Sequence, residues 1–244
     1  MLKVSRIKKS FGTKEILKNV SFILEPGNIY GLLGNNGAGK TTLSKIIFQE
    51  YSFDSGEINY NNLDISKVDF KEWYFFSENS ELPKNIQVKT YLKLIKNLVK
   101  MDNKKFDTRK NDIQSFLNIN DLLNKNISSL SSGQQKIVSL FICFLIKPKI
   151  IFFDEPTANL DVQNKNMIIK TIENMKKPDV IIVIITHLIE EVKNILDHIL
   201  IMNQGQIIYD NPYDKLENLD VIVDKLRKKD PVNSKGIERY LDEK

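Results

Sequence analysis

The sequence contains a single cysteine, Cys143, so a disulfide within the chain and a zinc site built from cysteines are both excluded. Long apolar runs are also missing. The longest, residues 140–146 and 180–185, fall well short of the ~20 residues that a membrane-spanning helix needs. Basic residues interrupt the N-terminal apolar pattern, and no secretory signal peptide is visible. We therefore expect a cytoplasmic protein in which Cys143 is a small buried hydrophobic residue.

Neither sign of charge dominates this chain of 244 residues, which has 36 Lys and Arg against 31 Asp and Glu. The basic clusters are short, and acidic residues are interspersed with them. This pattern favours a solvated surface, and no nucleic-acid partner is expected. The length suits a globular chain with a sizeable core, and no internal repeat or low-complexity linker divides it.

A glycine-rich stretch at residues 34–41 matches the phosphate-binding pattern G-x-x-x-x-G-K-[ST] at every fixed position. The apolar run 29–33 before it predicts a buried strand, and the apolar spacing after it predicts a helix. Glycines let successive N–H groups point at a phosphate, and the helix N-terminus adds partial positive charge. Lys40 is then expected to reach the β- and γ-phosphates, and Thr41 to bind Mg²⁺. The residues expected to bind the nucleotide here are Gly34, Asn35, Asn36, Gly37, Ala38, Gly39, Lys40, Thr41 and Thr42.

Two further apolar runs end in polar residues that suit catalysis. Residues 150–153 lead into Asp154 and Glu155, and residues 180–185 lead towards His187. In open parallel sheets, ligands and catalytic groups gather at the carboxyl ends of the strands. We expect Asp154 to hold Mg²⁺ through a water molecule and Glu155 to polarise the attacking water. His187 is expected either to contact the γ-phosphate or to orient that water and Glu155.

Strands alternate with helices along most of the chain, which favours a mostly parallel α/β sheet. We expect residues 2–7 to form an edge strand and Phe11 to lie in the loop that follows. Residues 88–144 have a helical pattern and predict a helical insert. Residues 211–244 predict a polar, helix-leaning tail.

Read in order, residues 2–211 resemble the nucleotide-binding subunit of an ATP-binding-cassette (ABC) transporter. The most specific element is Leu-Ser-Ser-Gly-Gln-Gln at residues 130–135, which is similar to the family signature L-S-G-G-Q. The resemblance implies one ABC ATPase domain of the P-loop NTPase (RecA-like) class, with a parallel-sheet core, an antiparallel β subdomain and an inserted α-helical subdomain. The implied bounds are 1–86 and 145–210 for the core, 87–144 for the helical part, and 211–244 for the tail.

The same resemblance implies roles for residues outside the phosphate loop. Phe11 matches the aromatic residue that stacks on adenine, and Asp161 matches the residue that links the two sites of a dimer. Glu78 stands where the family usually has a glutamine that touches Mg²⁺, and a glutamate there resembles a subset of drug, peptide and antimicrobial exporters. The signature residues expected to contact ATP are Ser131, Ser132, Gly133 and Gln134, with Ser132 in a position usually held by glycine.

The implied function is that of a Mg²⁺-dependent ATPase that drives an exporter by ATP-dependent dimerisation. A second nucleotide-binding subunit, identical or a sister chain, would complete each ATP site. A separate membrane-spanning permease subunit would hold the chain at the inner face of the cell membrane. The alternatives are a soluble ABC ATPase acting on ribosomes or nucleic acid, and an inactive regulatory cassette. Soluble ABC ATPases that act as translation factors usually carry two cassettes. An inactive regulatory cassette is expected to have lost Lys40 or Glu155.

Overall fold

The computed structural model describes residues 1–78 and 82–215. Met1–Pro212 form one compact unit, and Tyr213–Lys244 form a second, of which only residues 213–215 are described. The strands are β1 (Leu2–Phe11), β2 (Lys14–Leu24), β3 (Ile29–Leu33), β4 (Ser55–Tyr60), β5 (Leu63–Asp64), β6 (Trp73–Phe76), β7 (Ile150–Asp154), β8 (Ile181–Thr186), β9 (His198–Asn203) and β10 (Gln206–Pro212). The α-helices are α1 (Lys40–Ile47), α2 (Val88–Leu98), α3 (Asn103–Gln114), α4 (Ser132–Ile146), α5 (Val162–Asn174) and α6 (Ile189–Val192).

The larger sheet has six strands in the order β10-β9-β3-β8-β7-β6. Strands β9, β3, β8, β7 and β6 pair in parallel, and β10 adds an antiparallel edge. Every residue of β3, β7 and β8 is buried, as expected of central parallel strands covered on both faces. The predicted parallel-sheet core is confirmed, and the carboxyl ends of β3, β7 and β8 lie side by side.

The smaller sheet is antiparallel, with the order β2-β1-β4-β5. The prediction that residues 2–7 form an edge strand is wrong, because β1 pairs with β2 on one side and β4 on the other. Phe11 ends β1, opposite Lys14, and does not lie in a loop. Alternating apolar and polar residues show only that one face is buried. They carry no information on which edges of the strand are paired.

One hydrophobic cluster joins the two sheets through α1. It includes Val4 of β1, Leu32 of β3, Leu43 and Ile46 of α1, and Phe152 of β7. Burying a leucine or phenylalanine side chain contributes about 1.5–3 kcal/mol, so this shared core fixes α1 firmly between the sheets. The loop that leads into α1 is therefore held from both sides.

Helices α2, α3 and α4 lie between β6 and β7 in the chain. α4 continues to Ile146, and Lys147 then adopts a left-handed conformation before Pro148. The expected tail does not start at residue 211, because residues 211 and 212 belong to β10. Its residues 216–244 lie outside the described residues. No described helix combines the length and the apolar character that crossing a bilayer requires.

Candidate active site

The phosphate-binding loop connects the end of β3 to α1 and is pressed against β9. A Cβ on Gly34 would lie 2.2 Å from the carbonyl oxygen of Met202, so only glycine fits. Gly39 is the N-cap of α1 and has a φ of 106°, a conformation that L side chains rarely adopt. The N–H of Gly205 donates to the carbonyl of Ala38 over 3.0 Å. The loop shape is thus set by its own glycines and by the turn between β9 and β10.

Lys40 is the first residue of α1, and only 7% of it is exposed. Its Nζ donates to the carbonyl oxygens of Gly34, over 2.7 Å, and of Asn35, over 3.1 Å, so the side chain curls back over the loop. Burial lowers the pKa of Lys40, while the carboxylates of Glu155 and Asp154 oppose that shift. An ammonium held in this way over exposed backbone at a helix N-terminus suits a bound phosphate group.

Thr41 and Asp154 meet where β7 ends, with the Thr41 hydroxyl donating to Asp154 Oδ2 over 3.3 Å. The pKa of Asp154 is raised to about 6, chiefly by burial and also by the negative charges of Glu155 and Glu78, against the hydrogen bond from Thr41 and the charge of Lys40. This crowding of negative charge is what a divalent cation would relieve.

The oxygen donors at this point fit Mg²⁺ in particular. Residues 1–78 and 82–215 contain no group of three or more His, Cys, Asp or Glu side chains able to hold a metal ion. Mg²⁺ does not need one, because it keeps several waters and binds through one or two carboxylates together with substrate phosphates. Thr41 and Asp154, which meet here, thus have the chemistry to hold Mg²⁺ that arrives with a nucleotide.

Glu155 follows β7 directly and has a left-handed φ of 45°. Its N–H donates to the carbonyl of Ile185 over 2.9 Å. Its carboxylate oxygen Oε2 accepts a hydrogen bond from the Thr186 hydroxyl (2.9 Å), and Oε1 accepts one from the His187 N–H (3.1 Å). His187 Nδ1 also lies 2.7 Å from Oε1. The structure therefore brings the predicted Glu155 and His187 together. The sequence analysis missed Thr186 as a partner, although a hydroxyl at the end of an apolar strand was a usable signal.

The signature stretch forms the start of α4. The Ser131 side chain caps this helix by accepting from the Gln134 N–H, and the Gln134 side chain accepts from the Ser131 N–H. Ser132 is exposed in the first turn of α4, where a helical conformation makes no demand for glycine. A Cβ on Gly133 would meet Leu160 at an ordinary 3.6 Å. Serine at 132 is therefore compatible with the local backbone.

Three predicted residues remain, and their described contacts are local. Phe11 is 47% exposed, and its ring packs edge-to-face on Tyr51 with the centroids 5.6 Å apart. Asp161 caps α5, because its carboxylate accepts from the Asn164 N–H over 2.9 Å and from the Asn164 side chain. Glu78 is exposed in a turn after β6, and its charge acts on Asp154.

The sequence analysis missed Lys136, which is only 3% exposed. Its Nζ donates to the carbonyl oxygens of Glu155 (3.1 Å), Pro156 (3.3 Å) and Ala158 (2.8 Å). Burial lowers the pKa of Lys136, and the charges of Glu78 and Glu155 oppose that shift. A lysine next to the apolar run 137–146 was the only sequence signal for this contact.

Comparison with known proteins adds independent evidence. A family model described as "ABC transporter" matches residues 17–158. The "Lantibiotic transport ATP-binding protein SrtF" of Streptococcus pyogenes is 30% identical, over 90% of this chain and 94% of its own. The "Ribose import ATP-binding protein RbsA" of Lactococcus lactis is 32% identical, over 92% of this chain but 47% of its own. A solved structure described as "Structure of ATP binding subunit of ABC transporter" shares the fold, with a TM-score of 0.86, 20% identity, and coverage of 93% of this chain and 99% of that one.

Proposed function

The chain belongs to the ABC transporter family, and we propose that it is the ATPase subunit of a membrane exporter. It is an ATP-binding and ATP-hydrolysing subunit of the transporter class, and Mg²⁺ accompanies its nucleotide. The observation that carries the ATPase part of the proposal is the convergence of Lys40, Thr41, Asp154, Glu155 and His187 at the carboxyl ends of three parallel strands. Such a set both holds a triphosphate and activates a water.

In binding, the loop of residues 34–39 surrounds the phosphates with backbone N–H groups, and the α1 dipole favours their negative charge. Lys40 exchanges its contacts with two loop carbonyls for the β- and γ-phosphate oxygens. Phe11 offers a half-exposed ring for stacking on adenine, with Lys9 Nζ 5.1 Å from the ring centroid. Thr41 and Asp154 would hold Mg²⁺, and Glu78, whose charge acts on Asp154, would offer a further carboxylate.

In hydrolysis, Glu155 acts as the general base that takes a proton from the attacking water. Mg²⁺ held by Thr41 and Asp154 would supply positive charge against the charge that develops on the phosphate oxygens. Thr186 and His187 fix the direction of the Glu155 carboxylate, since each donates to one of its oxygens. His187 is about half exposed at its side chain, so it can turn towards the γ-phosphate without leaving the site.

Each site is completed by a second cassette. Ser131 and Gly133 lie at the exposed start of α4, where backbone N–H groups at a helix N-terminus attract phosphate. In a head-to-tail dimer they contact the ATP held by the phosphate loop of the other subunit. ATP then joins the faces, and removal of the γ-phosphate releases them.

Export is supported by two observations. Similarity to the lantibiotic transport protein extends over nearly the full length of both chains, whereas similarity to the ribose import protein covers less than half of that protein. Glu78 also stands where the resemblance points to drug, peptide and antimicrobial exporters. A separate permease subunit, docked around Glu78 and the helices from Val88 onward, would then hold the chain at the inner face of the membrane.

The partner can be identified with tagged Glu155→Gln protein expressed in the native host. Membranes are extracted in mild detergent with ATP present, and proteins that co-purify are identified. A multi-span membrane protein is expected. A second cassette should co-purify with Glu155→Gln but be reduced with Lys40→Ala, the matched variant with weakened ATP binding. Ribosomes or nucleic acid without a membrane protein would overturn the transporter assignment.

The direction of transport is tested in cells that lack this chain. If it serves an exporter of lantibiotic-like peptides, its deletion should raise sensitivity to an added lantibiotic. The wild-type gene and Lys149→Ala, a surface control, should restore resistance, whereas Glu155→Gln should not. Unchanged lantibiotic sensitivity together with lost uptake of a small nutrient would instead indicate import.

A further inference from the structure

Lys136 is a buried cation whose three described hydrogen bonds all go to backbone carbonyl oxygens. Burying an ammonium without satisfying its donors is costly, and a lysine offers three of them. Here the acceptors are the carbonyls of Glu155, Pro156 and Ala158, so each N–H of the ammonium has a partner in one short turn. The contacts join α4 to the residues that directly follow β7.

The turn that Lys136 holds includes Glu155, whose backbone is strained. Glu155 has a φ of 45°, and such a conformation persists in a non-glycine residue only where its surroundings hold it in place. The Ala158 N–H also donates to the Glu155 carbonyl, over 3.2 Å, so this oxygen accepts from two groups. Lys136 therefore fixes the main chain of Glu155 on one side, while Thr186 and His187 fix its carboxylate on the other.

We propose that Lys136 is a positioning residue for ATP hydrolysis: it holds the backbone turn that aims Glu155 at the attacking water, and it couples that turn to α4, the helix that Ser131 caps. The second half of this inference rests on the proposed function, because Ser131 acts on the ATP of the second subunit. One ammonium thereby joins the base of one site to the signature residues that serve the other.

A double-mutant cycle tests this proposal. Lys136→Met keeps an unbranched side chain, one atom shorter, but removes its charge and donors. We expect it to lower kcat about 10- to 100-fold through misplacement of Glu155, and to change the ATP Kd, measured without Mg²⁺, less than about 3-fold. In a Glu155→Gln background the same change should lower the residual single-turnover rate little further, because residues that act as a unit are not additive.

The matched control is Arg109→Met. Arg109 donates to the carbonyls of Leu145 and Ile146, the last two residues of α4. Like Lys136, it is a cation that binds backbone carbonyl oxygens. Its loss should lower the melting temperature but leave kcat unchanged. Lys136→Gln keeps two N–H donors in a similar position. It should recover part of the lost kcat, and it replaces Lys136→Met in the cycle if that variant does not fold.

The proposal is overturned if Lys136→Met lowers the rate by the same factor with and without Glu155, or if ATP affinity falls as much as the rate. It is also overturned if kcat is unchanged in a folded Lys136 variant. Failure of the proposed function has a different signature. In that case Glu155→Gln alone would hydrolyse ATP at the wild-type rate, whatever residue stands at 136.

Discussion

His187 Nδ1 lies 2.7 Å from Oε1 of Glu155, so the carboxylate expected to receive the proton of water is already contacted by a neighbouring ring. The His187 N–H donates to the same oxygen, over 3.1 Å. Two contacts from one residue set the orientation of the carboxylate before any nucleotide binds. Glu155 is thus the residue that accepts the proton, and His187 is the residue that orients the Glu155 carboxylate.

Replacement of each partner should therefore have a different effect. Glu155→Gln should lower ATP hydrolysis at least about 100-fold, because the amide accepts no proton. His187→Ala should lower it about 10-fold or more by loosening the carboxylate. Both should keep ATP affinity, as measured by fluorescence titration. His198→Ala is the control, since the second histidine contacts Asp210 instead and should have no effect. A wild-type rate for His187→Ala would contradict the aiming role.

Lys40→Ala should weaken ATP binding about 10- to 100-fold, which is the effect of losing a hydrogen bond from a charged donor. The affinity is measured by equilibrium titration with ATP. Lys149→Ala removes a half-exposed lysine that pairs with Asp179 and should leave the affinity unchanged. If Lys40→Ala binds ATP as the wild type does, the ammonium does not reach the phosphates.

Asp154→Asn should stabilise the nucleotide-free, Mg²⁺-free chain at pH 7.5 while abolishing Mg²⁺-dependent hydrolysis. The pKa of Asp154 rises from 3.8 to about 6 on folding, chiefly through burial. The folded state therefore binds this proton more tightly than the unfolded state. The wild type consequently loses stability as the pH rises from about 4 to about 6, and asparagine avoids that loss.

The expected gain for Asp154→Asn is about 1–3 kcal/mol at pH 7.5, and it should vanish near pH 4. Urea unfolding at both pH values measures it. Asp102→Asn is the control, because the pKa of Asp102 is shifted in the opposite direction to that of Asp154. Its hydrogen bond from the Lys105 N–H lowers the pKa of Asp102, so its replacement should bring no gain. Equal effects of Asp154→Asn at the two pH values would show that the stabilisation has another source.

Phe11→Ala should weaken the binding of ATP about 5- to 100-fold, and of inorganic triphosphate much less, because base stacking on an aromatic ring is worth about 1–3 kcal/mol. Calorimetric titration with the two ligands separates the base from the phosphates. Phe116→Ala removes a ring of similar exposure, 59% against 47%, in the helical part and should change neither affinity. Equal weakening for both ligands would remove the stacking role.

The phosphate loop, Asp154 and Glu155 could be predicted from sequence because each depends on a contiguous strand-to-loop pattern. The parallel core followed from apolar runs that end in polar residues. Lys136 could not be predicted in the same way. Its acceptors are backbone carbonyls at residues 155–158, and a carbonyl carries no mark in the sequence. The central place of β1 was missed because its alternating pattern reports on one face and not on the strands beside it.

The carbonyl of Met202, which leaves no room for a Cβ on Gly34, and the hydrogen bond from Gly205 to Ala38 have a consequence for engineering. The octapeptide that matches the phosphate-binding pattern receives part of its shape from residues more than 150 positions later in the chain. Grafted onto a different strand and helix, it would keep its consensus and lose its geometry. A transplant meant to create nucleotide affinity should therefore carry the β9–β10 turn along with the loop.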